Sequence, residues 1–360
     1  MMDKKYKEFS SKIDSTKTKL EQPLAGCTTV GIGGTADLQY FPENSGDLSA
    51  VCEMAFDQDI PITVIGGGSN ILISDDGLRG LVVVNVNGNY SIGGESKRKG
   101  KTKSLARWSI ADSATKRYDF EDLDYDESDC RRVTVEVDSG TRLQQFLYEM
   151  LDHHVTGLQW FSGIPGTIGG DVFNNLHGGT HFFSEVVDYV EALTQEGEVR
   201  RYSVEEIKPD YNYTIFHKNK EIILKAGLSL FFGDSNKARY VADEWRKRKQ
   251  EVQPQKTPGC IFANISNEQK EAYGYPTTCV GYIIEHVLKM SKYRVGNAMI
   301  SEKHHNFIVT EGKCSALDYL QVIRDITKAA KDDLDIDLVT EIIPLGFTDD
   351  ELEGVNFPTR

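Results

Sequence analysis

Two glycine clusters carry the first chemical signal in this chain. Gly66, Gly67 and Gly68 lead into Ser69 and Asn70, and Gly163, Gly166, Gly169 and Gly170 surround Ile164, Pro165 and Thr167. Glycine is placed where the backbone takes positive φ or where something must approach it closely. Bare backbone N–H groups in such turns form anion-binding nests, to which Ser69 and Asn70 add side-chain donors. The first cluster breaks the dinucleotide pattern G-x-G-x-x-G, because the strand-like run "NILIS" follows it where that pattern needs a helix. Alone it is equally well a plain strand connection. Two nests in one region fit a ligand with a diphosphate and a flat ring.

A second signal is Glu341 in the apolar run "LVTEIIPLG". A carboxylate inside a buried strand is costly unless paired or protonated, which marks Glu341 as a site candidate. An edge strand with Glu341 facing water is the alternative. Charged residues in "SEKHHNFI", Lys303 among them, stand at a strand entrance, where a solvated rim is the ordinary outcome.

The whole chain must position these groups. Its 360 residues, 39% hydrophobic and 27% charged, describe a globular protein long enough for two or three domains. A net charge of -14 weighs against a nucleic-acid partner. No apolar run approaches the roughly 20 residues that cross a bilayer. Six scattered cysteines without a CxxC pair, and a polar start "MMDKKYKEFSSKID", point to a reducing cytoplasm.

A polar lead-in precedes the strand-like "TTVGIGGTADLQYFP", a helix with Leu48, Val51, Cys52, Ala55 and Phe56 on one face, and the strands "ITVIGGG", "NILIS" and "LVVVNV". These read as a small β-α-β-β unit. From Ser91 to Arg132 a basic and an acidic block replace the apolar pattern, predicting a solvated surface excursion. Order returns with the strand "RVTVEVDSG", a helix from Leu143 to His153, a hairpin around "QEGE" and the strand "EIILKAGLSLFF". The charged helix Ser235 to Val252 reads as a linker into a last domain ending near Phe347, with a polar tail beyond it.

Four motifs, "TTVGIGGTADLQYF", "VIGGGSNILISDDGLRGLVV", "GLQWFSGIPGTIGGDV" and "MISEKHHNFIV", together resemble the UDP-N-acetylenolpyruvoylglucosamine reductase family of flavoenzymes, in order from about Thr28 to Gly346. The resemblance implies an α+β protein. A two-lobed FAD-binding domain of the vanillyl-alcohol-oxidase type would occupy residues 1–233, with the excursion 91–132 as an insertion. An α+β substrate-binding domain would follow over 234–347, then a tail, 348–360. It implies FAD, NADPH as co-substrate and a UDP-sugar substrate, reduced from the enolpyruvyl ether to UDP-N-acetylmuramate. FAD would rest on both glycine clusters, Gly66 to Asn70 and Gly163 to Gly170, and on Asn175.

That chemistry needs a hydride, a group that stabilises an enolate, and a proton donor. The family's glycine-serine-x-phenylalanine-x-asparagine motif resembles "GCIFAN", which puts Cys260 at the donor position and Asn264 against the substrate. A lone buried cysteine acting as a small hydrophobe is the plain alternative. Glu341 matches the family's catalytic glutamate. The tyrosine-arginine-x-serine-x-phenylalanine motif resembles "YNYTIF", placing Tyr211 at the substrate and Asn212 where the family has arginine. The lost cation has to be replaced, with Lys218, Arg294 or Lys303 as candidates, and Lys303 also fits the nucleotide diphosphate. "NNLHGGTHFF" adds His177 and His181, but Gly178 and Gly179 between them argue against a helical metal pair, so no metal site is expected. Because of Asn212, a different substrate on the same scaffold and a non-catalytic FAD-binding protein remain alternatives. The oligomeric state is not legible.

Overall fold

A four-stranded sheet forms the first lobe in the computed structural model, which describes residues 3–96, 123–179 and 181–357. Its order is Thr18–Pro23, Thr35–Tyr40, Leu78–Val84, Ile62–Ile65, the first pair antiparallel and the others parallel. The helix Ser45–Phe56 makes the crossover, started by Asn44, whose side chain accepts from the Asp47 N–H at 3.0 Å. Leu48, Val51, Cys52 and Ala55 fall on one helical face and cover Leu38, Leu81 and Val83 of the sheet. The strand Ile71–Ile73 forms but stays outside this sheet, so the β-α-β-β reading is corrected. It pairs in parallel with Ile343–Leu345 from the far end of the chain.

The second lobe is a five-stranded antiparallel sheet in the order Val199–Ser203, Val187–Leu193, Ile222–Phe231, Arg132–Asp138, Tyr90–Glu95. The excursion is therefore shorter than the charge pattern predicts. Its first residues form an edge strand, and its last, from Leu123, pack against Trp160, Val241 and Trp245. Residues 97–122, with the basic block, lie outside the described residues.

The helix Ser235–Val252 is not a linker into the last domain. Ala238 and Ala242 join the core of the second lobe, so this helix belongs to that lobe by packing. In the C-terminal region the helix Ala316–Leu334 lies over a small sheet of Arg294–Val295, Ala298–Ile300 and Ile308–Thr310. Its core is shared with Val30, Ile32 and Leu72 of the first lobe. The polar tail is also ordered through residue 357, because Val355 is buried in that core and the Asn356 carbonyl accepts from the Thr340 N–H at 2.8 Å. The run "LVTEIIPLG" is not one strand. Thr340 bridges to Phe262, Ile343–Leu345 pairs with Ile71–Ile73, and Glu341 falls between the two pairings.

Candidate active site

The two glycine clusters, almost 100 residues apart in sequence, touch. A Cβ on Gly67 would stand 3.0 Å from Gly166 Cα, and one on Gly66 would stand 2.4 Å from Thr167 Oγ1. Ser69 Oγ donates to the Pro165 carbonyl at 2.8 Å. Gly68, at φ +64°, would place a Cβ 1.9 Å from the Cys27 carbonyl oxygen. What approaches these glycines closely is the protein's own chain, which packs the two loops into one unit. Their amides are nonetheless available. Among the described residues the N–H groups of Gly66, Gly67, Gly68, Ser69, Asn70, Gly166 and Thr167 meet no acceptor. Those of Gly163, Ile164 and Gly169 are spent on Gln144, Phe161 and Ser139. Gly170 lies in the first turn of the helix Ile168–Phe173.

Beside this unit stands Glu341. Its N–H donates to the Ile261 carbonyl at 2.8 Å, and its carbonyl accepts from Asn70 Nδ2 at 3.3 Å. The Asn70 carbonyl in turn accepts from the Ile343 N–H at 2.9 Å. Asn70, read from sequence as a cofactor ligand, thus ties the first glycine loop to the carboxylate strand through its side-chain amide and its backbone carbonyl. Glu341 Oε1 accepts from Tyr211 Oη at 2.5 Å and from Asn212 Nδ2 at 2.9 Å. Among the described residues Oε2 has no protein partner, yet it is not sealed from the surroundings.

Burial pushes the Glu341 carboxyl up to about 7, against the hydrogen bonds from Tyr211 and Asn212 that favour its charge. Both donors are neutral. An arginine in place of Asn212 would have held the carboxyl down, so the substitution keeps Glu341 close to a neutral-pH titration. Cys260 adjoins: burial, then the charge of Glu341 and then Cys279, hold its thiol well above the ordinary range. Burial and Glu341 do the same to the Tyr211 hydroxyl.

The turn that presents Tyr211 and Asn212 is braced from the second glycine region. Asn212 takes φ +51°, a left-handed conformation that asparagine tolerates. Asn175, itself at φ +44°, donates through Nδ2 to the Asp210 carbonyl at 3.0 Å and accepts at Oδ1 from the Ser184 N–H at 3.0 Å. Its side chain thus bonds within the protein, where it sets the Tyr211 turn. Asn264 is exposed and accepts from the Val280 N–H at 3.3 Å. None of the three cations considered as replacements for arginine bonds Glu341. Lys218 and Lys303 are exposed, and Arg294 pairs with Glu311 at 3.0 Å.

The histidines separate. His181 Nδ1 lies 2.8 Å from Glu185 and Nε2 lies 3.0 Å from Asp124, with the ring stacked 3.8 Å from Trp160. Burial acts to lower its pKa, but the two carboxylates together raise it to about 9. It therefore clasps the end of the excursion to the second lobe. His177 faces the site instead, its ring 5.0 Å from that of Tyr211. Sequence reading missed Lys249, whose helix looked like a charged linker. Its spacing from Ala238, Val241, Ala242 and Trp245 is helical and puts it on the buried face, a signal that was available.

Comparison with known proteins points the same way as the motifs. Residues 251–345 match the C-terminal domain model of UDP-N-acetylenolpyruvoylglucosamine reductase, and residues 119–203 match an FAD binding domain. Over most of its length the chain is similar to UDP-N-acetylenolpyruvoylglucosamine reductases. It is 26% identical to the reductase of that name from Staphylococcus haemolyticus over 94% of this chain and 95% of that one. It is 29% identical to the one from Pediococcus pentosaceus over 90% and 93%. The fold is similar to the crystal structure of the Thermus caldophilus reductase, with a TM-score of 0.65 over 91% of this chain and 98% of that one, at 23% identity. The α+β architecture with a two-lobed FAD-binding domain is the one the motifs imply.

The residues present fit FAD. The unspent amides of Gly66 to Asn70 and of Gly166 and Thr167 suit a diphosphate, and the contact of the two loops sets them side by side.

Proposed function

We propose that this protein reduces the enolpyruvyl ether of UDP-N-acetylglucosamine to UDP-N-acetylmuramate in the cytoplasm, for peptidoglycan synthesis, with FAD bound and NADPH as the source of reducing equivalents. The observation that carries the reading is Glu341, held at Oε1 by two neutral donors and placed beside Cys260 and the joined glycine loops. Among the described residues no helix is long and apolar enough to cross a membrane.

Bound FAD would supply the hydride for the alkene. The chain's own residues handle the protons and the charge. Burial keeps the Cys260 thiol protonated at neutral pH, so it is a donor waiting for a carbanion rather than a thiolate. With Oε1 occupied, the proton that Glu341 carries at or below about pH 7 belongs on Oε2. There it donates to the developing enolate oxygen. In this chain a proton on Glu341 takes over the stabilisation that the family's arginine would provide by charge. Tyr211 and Asn212 orient the carboxyl, and Asn175 orients both of them through Asp210. Asn264 and Lys303, exposed on the C-terminal region, are the proposed contacts for the sugar nucleotide.

Anaerobic single turnover tests the reading: the flavin is photoreduced, the enolpyruvyl substrate is added, and return of the oxidised absorbance is followed. Fast return is expected. A flavin that stays reduced sinks the substrate assignment and favours the second reading, a different substrate on the same scaffold, for which Asn212 is the specific observation.

A further inference from the structure

Glu341 and Cys260 stand at the same end of one short antiparallel pairing. The Ala263 N–H donates to the Val339 carbonyl at 2.9 Å and the Glu341 N–H to the Ile261 carbonyl at 2.8 Å, flanking the bridge between Phe262 and Thr340. In a bridge of this kind the two facing residues turn their own backbone groups outward. An asparagine receives them on each side. Asn306 accepts from the Phe262 N–H at Oδ1 at 3.0 Å and donates through Nδ2 to the Phe262 carbonyl at 2.8 Å. Asn356 accepts from the Thr340 N–H at its carbonyl at 2.8 Å and donates through Nδ2 to the Leu338 carbonyl at 3.1 Å. Thr340 Oγ1 is buried without a partner among the described residues, so backbone bonding is what holds this residue.

Asn356 lies in the tail, which is anchored at a distance from the site. Arg324, on the helix Ala316–Leu334, donates from Nε to the Glu353 carbonyl at 2.9 Å and from Nη2 to the Glu351 carbonyl at 2.7 Å. Gly354, at φ +79°, carries the chain over the Arg324 stem, and Val355 is buried in the C-terminal core. The groups facing the Glu341 carboxyl are Tyr211 and Asn212 from the second lobe and Cys260 from the adjoining strand. Burial keeps the two that titrate, Tyr211 and Cys260, neutral at neutral pH. Exclusion of water is thus what lets Glu341 keep its proton.

We propose that the C-terminal tail is a strap that positions Glu341 beside Cys260, with Asn356 and Arg324 as positioning residues. The inference rests on the proposed function. Asn356 holds Thr340 against Phe262, and Arg324 holds the tail that carries Asn356. With the strap loosened, the strand drifts, water reaches the carboxyl, and its proton leaves at lower pH. A misplacement of about 1 Å at a reacting group costs about 100-fold in rate.

The test compares the full-length, flavin-loaded wild type with Asn356→Ala and with Asn356→Ala combined with Arg324→Met. Flavin reoxidation by the enolpyruvyl substrate is followed in single turnover across pH. The protonated-carboxyl band of Glu341 is titrated by infrared difference spectroscopy, with Glu341→Gln as the blank, and FAD affinity is measured by flavin fluorescence. Asn356→Ala is expected to slow reoxidation about tenfold or more and to move both the alkaline limb and the band from about 7 toward 4.5. FAD affinity should stay within twofold, and the double variant should go further in the same direction. A rate and a band at wild-type values in both variants overturn the proposal. So does a slower rate with an unmoved band, or a loss of FAD affinity equal to the loss of rate, because a merely structural tail gives either. A wild-type flavin that the substrate does not reoxidise refutes the proposed function instead, and the band, which needs no turnover, still decides the strap.

Discussion

Replacing Glu341 by Gln is expected to stabilise the folded protein above neutral pH while slowing its turnover. The folded carboxyl titrates near 7 against an ordinary 4.5, so between those values the folded state holds a proton the unfolded chain has released. The stability contributed by the protonated form is complete below 4.5, falls as pH rises, and is fully lost above 7. That separation corresponds to about 3 kcal/mol. Glutamine keeps an oxygen for Tyr211 and Asn212 and never ionises, so Glu341→Gln escapes the loss. Denaturant unfolding of the flavin-loaded protein, followed by fluorescence at pH 5 and pH 8, measures it. The stability of the variant relative to wild type should rise by about 3 kcal/mol between the two, with kcat lowered to the extent that an amide N–H is a weaker donor to the enolate than a carboxylic acid. A difference that does not change with pH would show that Glu341 is not the buried titrating group on which the proposed chemistry depends.

Further outcomes are specific to single residues. Cys260→Ala should slow turnover by about 100-fold or more, and Cys260→Ser should retain much more of it, as read by flavin reoxidation in single turnover. Asn212→Arg should lower the Glu341 pKa and shift the alkaline limb of kcat to lower pH, measured as a pH profile. Asn175→Ala removes one buried and one partly buried hydrogen bond and should destabilise by about 1–3 kcal/mol while raising KM through the loosened Tyr211 turn, with urea unfolding and steady-state kinetics as the readouts. The His181 clasp contributes stability that is complete below 6.5 and is lost as pH rises through about 9. His181→Asn should therefore cost stability at pH 6 and much less at pH 10, in thermal unfolding.

Motif order and the types of the key residues were already visible in the linear chain. Glycines announce themselves by type, and at Gly68 no other residue fits, while Glu341 stands out against its apolar neighbours. Periodicity likewise revealed the helix Ser45–Phe56 and most strands, since burying one face imposes spacing on whichever residues lie there. What periodicity could not carry was partnership. Ile71–Ile73 looks like a member of the nearby sheet, but it pairs with Ile343–Leu345 from the far end of the chain, next to the Asn70 to Glu341 link. Asn70 and Asn175 read from sequence as ligands of a cofactor, and the structure adds bracing bonds that their side chains make within the protein, because an amide side chain advertises hydrogen bonding and not its recipient. Lys249 looked solvated until the opposite wall of its helix came into view.

The sequence by itself determined that two glycine loops, a carboxylate and a thiol must be present, since their chemistry is local to each residue. Tertiary structure alone decided that the loops join into one donor surface and that Glu341 meets two neutral donors. It also decided that burial pushes this carboxyl up to about 7. Those properties depend on distance and on exclusion of water, and both are set by parts of the chain about 100 residues or more apart.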